Sequence, residues 1–322
     1  MNETLIGPRV SVVIPCYNAE ATIAAAIESA LSQTWPHTEV IVVDDGSQDG
    51  SLEVIRSYGN RILWHAQPNA GGCAARNRGV ELSTGECIQF LDADDLLTPE
   101  AVASKVARLD SARPRVVPCS TLTVDETRGI PARMVGPTHW FERDFDLEKL
   151  LSSGSPQTAA PLHRKENLLK VGGFRVGLTS CQEHDLHLRL AVELDLEFEA
   201  RDPVGVVIRP EPGSLSRTAG VRMHVNTAFV TRDVLPKLEA RGRLTPPVRR
   251  AAALKLGVCA RRCWAAGALG EAVEAARTAT LLDPFWLSAQ YPNPLLRGAV
   301  KVLGWERFNR LRDHLPRRSR RK

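Results

Sequence analysis

The chain has 322 residues, of which 43% are apolar and 25% charged, with 5% aromatics and a net charge of +5. That composition belongs to a folded globular protein and argues against a carbohydrate-binding module built on stacked rings. Six Lys or Arg (Arg312, Arg317, Arg318, Arg320, Arg321, Lys322) fall in the last twelve residues against one acid, Asp313, leaving 36 basic and 36 acidic residues elsewhere; a neutral body argues against a nucleic-acid groove.

Val10 to Pro15 is a short β-branched run that reads as a buried strand. Asn18 is placed to cap a helix whose Ile23, Ile27, Ala30 and Leu31 share one face. A second strand spans Val40 to Val43 and ends in Asp44-Asp45-Gly46-Ser47, followed by a helix over Ser51 to Ser57 and a third strand over Ile62 to His65. An Asn-Ala-Gly-Gly turn leads into a helix from Cys73 to Leu82, and a fourth strand covers Glu86 to Leu91. Thr98 and Pro99 are expected to start a helix reaching Leu109. Strand and helix alternate four times, which predicts an α/β fold with a mostly parallel sheet and helices on both faces. Ligands of such sheets bind past the carboxyl ends of the strands. Tyr17-Asn18, Asp44-Asp45 and Asp92 to Asp95 should therefore gather on one rim.

Beyond Val116 the pattern loosens: an irregular loop over Thr138 to Phe141, a short helix over Phe145 to Leu151, a strand over Gln157 to His163, a helix over Glu183 to Leu194, and strands at Leu196 to Ala200 and Val204 to Ile208. From Arg217 the chain is all-helical, with helices at Ala228–Ala240, Pro247–Ala266, Glu271–Leu281 and Leu295–Leu311, the second and third resembling one tetratricopeptide-type hairpin. The expected domains are 1–216, divided into a nucleotide-sugar half at 1–110 and an acceptor half at 111–216, then a helical extension at 217–310 and a basic tail at 311–322. The start lacks the pattern of a signal peptide and no apolar run is long enough to span a bilayer, so a cytoplasmic protein is expected. The tail is either a solvated end or a peripheral contact with the inner face of an anionic membrane. The seven cysteines are expected as buried thiols, the Cys259/Cys263 pair included.

Asp92-Ala93-Asp94 leaves a buried strand with carboxylates at alternate positions, a sparse ligand set suited to Mg²⁺ or Mn²⁺ together with substrate phosphates. Three acids at one strand end repel one another without a cation, which assigns Asp94 to metal; Asp95 is left between ligand contact and helix capping. Asp44 and Asp45 can accept from a base N–H or ribose hydroxyls, or form an Asx turn in which Gly46 supplies positive φ. Gly71-Gly72 ahead of a helix permits close approach of phosphate, with Arg76 as a charge partner, or Arg76 pairs with Glu81. Glu183 at a helix start is either a general base for an acceptor hydroxyl or an acid placed against the helix dipole. Metal binding by His184 or His187 lacks a third ligand at suitable spacing.

Val10-Ser-Val-Val-Ile-Pro-Cys-Tyr-Asn18, Ser32-Gln33-Thr34, Val42-Val43-Asp44-Asp45-Gly46-Ser47 and Phe90-Leu-Asp-Ala-Asp-Asp95 together resemble the family 2 inverting glycosyltransferases of GT-A fold, strongly over Val10 to Leu109 and more weakly to Ser216. The resemblance implies that Pro15, Tyr17 and Asp45, with Asp44 adjacent, line the nucleotide site, that Asp92 and Asp94 form the family's DxD-type pair with Asp92 on the donor side and Asp94 the metal ligand, and that Glu183 stands where the family keeps its base. This chain has Gln182-Glu183 where the family usually has Glu-Asp or a lone Asp. Arg209, with Ser214 and Ser216, falls where relatives carry a loop over the diphosphate. The Gln-x-x-Arg-Trp element of processive synthases is missing, which favours transfer of single residues. The implied partners are a nucleotide-diphosphate sugar, a UDP-sugar foremost, and a glycan or lipid-linked acceptor of surface polysaccharide, lipopolysaccharide or glycolipid synthesis. The alternative is a sugar-nucleotide-binding or scaffold protein on the same fold without turnover.

Overall fold

Strand β1 (Val10–Cys16) is buried along almost its whole length and pairs in parallel with β2 (Thr38–Asp44) on one side and β4 (Cys87–Phe90) on the other. β3 (Leu63–Ala66) adds in parallel outside β2, and β7 (Leu162–Arg164) closes the other edge antiparallel to β4, giving the order β3-β2-β1-β4-β7. The continuous Val/Ile runs of β1 and β2 follow from burial on both faces. This is seen in the computed structural model, in which residues 7–124, 145–209, 220–291 and 293–314 are described.

Helices α1 (Ile23–Leu31), α2 (Ser51–Ser57) and α3 (Gly72–Leu82) provide the crossovers. α3 lies so close to β1 that a Cβ at Gly79 would collide with Val13, so the residue must be glycine. Ala75 of the same helix seals a cluster with Ile41 and Val43. A second sheet, in the order β5-β8-β6, joins β5 (Leu96–Leu97), β6 (Val116–Val124) and β8 (Glu197–Ile208). Helices α4 (Ala101–Val106), α5 (Leu147–Ser152), α6 (Lys165–Lys170) and α7 (Gln182–Leu194) complete this part of the chain.

Several local expectations are corrected. Asn18 does not cap α1: its φ is 48°, and it instead ties its amide to Ser47 Oγ and its Oδ1 to the amide of Gln48, while Thr22 precedes the helix. Thr98 is not a helix cap either, because its amide and hydroxyl donate to the carbonyls of Gly205 and Val204 beside β5. α4 starts only after Glu100 and ends at Val106. The two strands expected at 196–208 are one, β8, with a register irregularity against β6 at Ser120 to Leu122. The strand expected over Gln157–His163 is reduced to Leu162–Arg164. The expected loop Thr138–Phe141 lies outside the described residues.

The chain divides into two compact units, the second comprising 151–153 and 220–322. In that unit α8 (Gly220–Ala240), α9 (Pro246–Ala265), α10 (Leu269–Leu282), α11 (Trp286–Gln290), α12 (Pro294–Leu303) and α13 (Trp305–His314) pack around a Trp cluster. Trp264 meets Trp305 edge-on with ring centroids 5.3 Å apart. Trp286 sits against Gly257 of α9, where any side chain would strike the indole. The single helix expected over Leu295–Leu311 is broken in two at Gly304, whose φ of 76° is left-handed. Cys259 and Cys263 are core thiols, and all seven cysteines are buried thiols outside any disulfide.

Candidate active site

The parallel strands β1, β2 and β4 deliver their carboxyl ends to one rim, and three of the predicted segments meet there. Asp44, the last residue of β2, and Asp45, just beyond it, are each 2% exposed. The two carboxylates do different work. Asp45 accepts from Gln67 Nε2 at 2.7 Å and from the amides of Ala70 at 3.0 Å and Gly71 at 2.8 Å, so it organises the turn that opens α3. Asp44 Oδ2 accepts from the Ser47 amide at 3.2 Å, while its Oδ1 is buried with no hydrogen-bond partner among the described residues. A buried acceptor left without a donor costs free energy and points to a partner supplied from outside. Gly46, directly after Asp45, has φ 77°, and its missing side chain lets the backbone of Asn69 approach.

Past β4 the chain turns through Asp92 to Asp95, closed by the Asp95 amide donating to the Asp92 carbonyl at 3.1 Å. Asp92 accepts from Arg76 Nη2 at 2.6 Å. The same guanidinium reaches Gln182 Oε1 through Nη1 at 2.8 Å and lies 5.3 Å over the Phe174 ring. Burial works against charge on Arg76, but Asp92 more than offsets this and raises its affinity for the proton. Arg76 therefore does not take Glu81, which pairs with Arg78 instead. Asp95 is 4% exposed and accepts from the Arg209 amide at 3.0 Å and Gln157 Nε2 at 3.2 Å, so it caps no helix. Burial, then the charges of Asp94 and Asp92, lift its pKa well above the carboxylate range. The carboxylates of this turn thus crowd one another, and Asp95 holds its proton more tightly as a result. Among the described residues no group of three or more His, Cys, Asp or Glu side chains surrounds a ready metal position.

Glu183 is the second residue of α7, half-buried beside this cluster. Burial raises its pKa, its own backbone amide and Arg76 pull it down, and Asp92 pushes it up, so it belongs to the same electrostatic group. The first turn of α7 is held firmly. Asp185 accepts from Arg189 at 2.7 Å and from Arg175 at 3.0 Å, while Arg189 also donates to the carbonyls of Val171 and Gly173. Asn77 of α3 clamps Phe174 by both backbone groups, each at 2.8 Å. His184 and His187 are buried; His187 stacks on His163 at 5.5 Å and packs against Phe198.

Pro15 is half-buried at the end of β1 and Tyr17 is 49% exposed just beyond it, on the rim. Arg209 does not reach outward as a free cation. Its Nε donates to the Asp94 carbonyl at 2.7 Å and its Nη2 to that of Thr22 at 3.4 Å, so it braces the acidic turn from beneath. Ser214 and Ser216 lie outside the described residues. Gln67, Gln157, Gln182, Asn77 and Phe174 hold the site together, and of these Gln67 and Gln157 stand in no motif visible in the sequence.

Residues 11–167 match the family profile described as Glycosyl transferase family 2. An uncharacterized glycosyltransferase of Rickettsia typhi is 30% identical over 194 residues, 58% of this chain and 59% of that protein. The chain spans less than two thirds of the length of the curated relatives it matches. Among solved structures, S. aureus TarS 1-349 in complex with UDP-GlcNAc aligns over 92% of both chains with a TM-score of 0.63 at 19% identity. The mannosyltransferase PcManGT from Pyrobaculum calidifontis, in complex with GDP-Man and Mn²⁺, aligns over 93% of this chain and 88% of its own with a TM-score of 0.55 at 20% identity. Residues 11–167, the segment that carries this rim, thus match glycosyl transferase family 2, and the chain has the GT-A fold of these structures.

Proposed function

We propose that the chain transfers a sugar from a nucleotide-diphosphate donor to an acceptor hydroxyl by single displacement with inversion. The observation that carries this reading is the junction of Arg76, Asp92, Gln182 and Glu183, which gathers the donor-side carboxylates and the α7 carboxylate into one charge cluster. The Glu183 carboxylate takes the proton of the acceptor hydroxyl as that oxygen bonds to the anomeric carbon. The bond from that carbon to the diphosphate oxygen breaks, and the electron pair leaves with the nucleoside diphosphate. The first turn of α7, fixed by the Asp185–Arg189–Arg175 network, sets the base in place.

The unpartnered Oδ1 of Asp44 suits a base N–H or a ribose hydroxyl, with Pro15 and Tyr17 lining the same end. Asp45 acts through the turn it organises. Arg209 acts through the acidic turn, whose backbone it braces. Mg²⁺ or Mn²⁺ suits the chemistry of the acidic turn: Asp92, Asp94 and Asp95 follow one strand end and repel one another, and their hard carboxylate oxygens, Asp94 foremost, would hold such a cation. When bound, such a cation neutralises charge growing on the departing diphosphate. The nucleotide sugars bound by the two structural neighbours, and the Mn²⁺ of one of them, support a nucleotide-sugar donor and a divalent cation. A glycan or lipid-linked acceptor, as in surface polysaccharide, lipopolysaccharide or glycolipid synthesis, completes the reading.

The test is Glu183→Gln assayed for donor binding by calorimetry and for transfer across a panel of nucleotide sugars. Retained binding with lost transfer is expected; full activity in the variant would falsify the base assignment. Donor binding with neither transfer nor donor hydrolysis by the wild-type chain would point to a binding protein instead.

A further inference from the structure

The helical unit exposes large apolar side chains in one short stretch of sequence. Leu281 is 79% exposed, Phe285 69%, Leu295 82% and Leu296 43%. Between them α11 turns inward. Trp286 is 1% exposed and Leu287 7%, Trp286 meets the Trp305 ring at 6.4 Å, and Tyr291 meets Phe308 at 5.6 Å. The stretch is thus anchored to the unit by its own aromatics, while apolar side chains before and after α11 face solvent. α12 repeats the division: Val300 is 2% exposed whereas Leu295, five positions earlier and well round the helix, is open.

Charge is segregated to the same part of the chain. From Ala275 to Lys322 there are eleven Lys or Arg (Arg277, Arg297, Lys301, Arg307, Arg310, Arg312 and five in the final six residues) against three acids, Asp283, Glu306 and Asp313. The rest of the chain holds 31 basic and 34 acidic residues, so it is slightly negative. Exposed Arg277 stands one helical turn before Leu281 on α10.

Three kinds of partner could cover such a surface, and the charges choose among them. A second copy docking through the same face would set like charge against like. A nucleic acid would use the cations but leave Leu281, Phe285 and Leu295 in water. An anionic bilayer answers both features, taking apolar side chains at headgroup depth while its lipids attract the basic ones. We propose that the helical unit docks on an anionic lipid surface through Leu281, Phe285, Leu295 and Leu296, with Arg277 and Arg297 of the same segment meeting the headgroups.

The experiment is vesicle co-sedimentation of the full chain with vesicles of mixed phosphatidylglycerol and phosphatidylcholine, and with phosphatidylcholine alone. Two paired variants, Leu281→Gln with Phe285→Gln and Leu295→Gln with Leu296→Gln, touch only exposed positions, and their circular dichroism confirms folding. Wild type should bind the anionic vesicles and hardly the neutral ones, and each pair should lower partitioning by about tenfold. Arg277→Gln with Arg297→Gln should lower it a few-fold, and salt of about 0.5 M should weaken what remains. Equal binding of both vesicle types, wild-type binding by both apolar variants, or no binding together with self-association that the apolar variants abolish in sedimentation velocity would each overturn the proposal. None of these outcomes depends on glycosyl transfer.

Discussion

Arg76 of α3 and Asp92 at the end of β4 are bonded at 2.6 Å, and the same guanidinium carries on to Gln182 at the start of α7. One side chain thereby couples the end of the parallel sheet to the helix that bears Glu183. With Arg76 8% exposed, the pair is mostly shielded from water. Arg76→Met should destabilise the fold by about 3 kcal/mol, as breaking a buried pair does by stranding the other charge. It should also move the acid limb of the kcat profile to higher pH, because Arg76 is the side chain that lowers the Glu183 pKa. Urea denaturation and a pH–rate profile check the two parts separately.

Glu183 must be ionised to accept a proton, and burial holds its pKa above that of an ordinary glutamate. Activity should therefore fall on acidification at a pH higher than a solvent-exposed carboxylate would give. Glu183→Gln should reduce kcat by about 10²- to 10⁴-fold with little change in donor affinity, the range expected when a general base is lost. Steady-state kinetics beside calorimetric donor binding measure both.

Asp94→Asn should remove most of the stimulation by Mn²⁺ or Mg²⁺, since it takes away the carboxylate proposed to hold the cation. EDTA should depress wild-type transfer strongly and the variant little. Titrating each cation against initial rate gives the comparison.

Asp44 and Asp45 are adjacent and equally buried, yet their substitutions should part company. Asp45→Ala releases Gln67 and the amides of Ala70 and Gly71, so it should cost stability, by about 2 kcal/mol for the stranded donors, as well as donor affinity. Asp44→Asn keeps a comparable shape and turns an acceptor site toward the donor into a mixed one; donor affinity should drop with only a small shift in Tm. Thermal melts with and without nucleotide sugar resolve the difference.

Stability should also follow pH in a way the α/β core dictates. Burial, and then Lys105, hold the His163 pKa down to about 3, far below its ordinary 6.5. The unfolded chain therefore binds a proton that the folded one refuses between these values, and stability should climb from about pH 3 to 6.5. Lys105 is itself fully buried against Gln89 and the Ala160 carbonyl, and burial lowers its pKa from 10.5 to about 7. By the same sign, stability should go on rising above pH 7. Cys16 opposes this above about pH 9, because burial pushes its thiol up to about 12 while an unfolded thiol ionises. Urea midpoints between pH 7 and 9 should rise in wild type and flatten in Lys105→Met.

Much of the site was readable because chemistry and periodicity agreed locally. The β-branched runs at Val10 and Val40 made strands, the alternation made them parallel, and parallel strands send their carboxyl ends to one rim, which gathered Asp44, Asp45 and the Asp92 turn. Contacts between residues far apart in sequence carried no such signal. Nothing near Asp95 announces Gln157 or the amide of Arg209, and Thr98 looked like a helix cap because β5 finds its partner only when β8 folds back from residue 206. The division of labour between Asp44 and Asp45 was equally hidden, since two neighbouring carboxylates read alike until the 67–71 turn closes on one and leaves the other an open acceptor. Local backbone preference and apolar spacing are properties of a few consecutive residues, so the sequence determined the elements, the sheet and its rim. Which carboxylate is satisfied, which arginine is already taken and where Glu183 stands depend on long-range packing, and only the tertiary structure decided them.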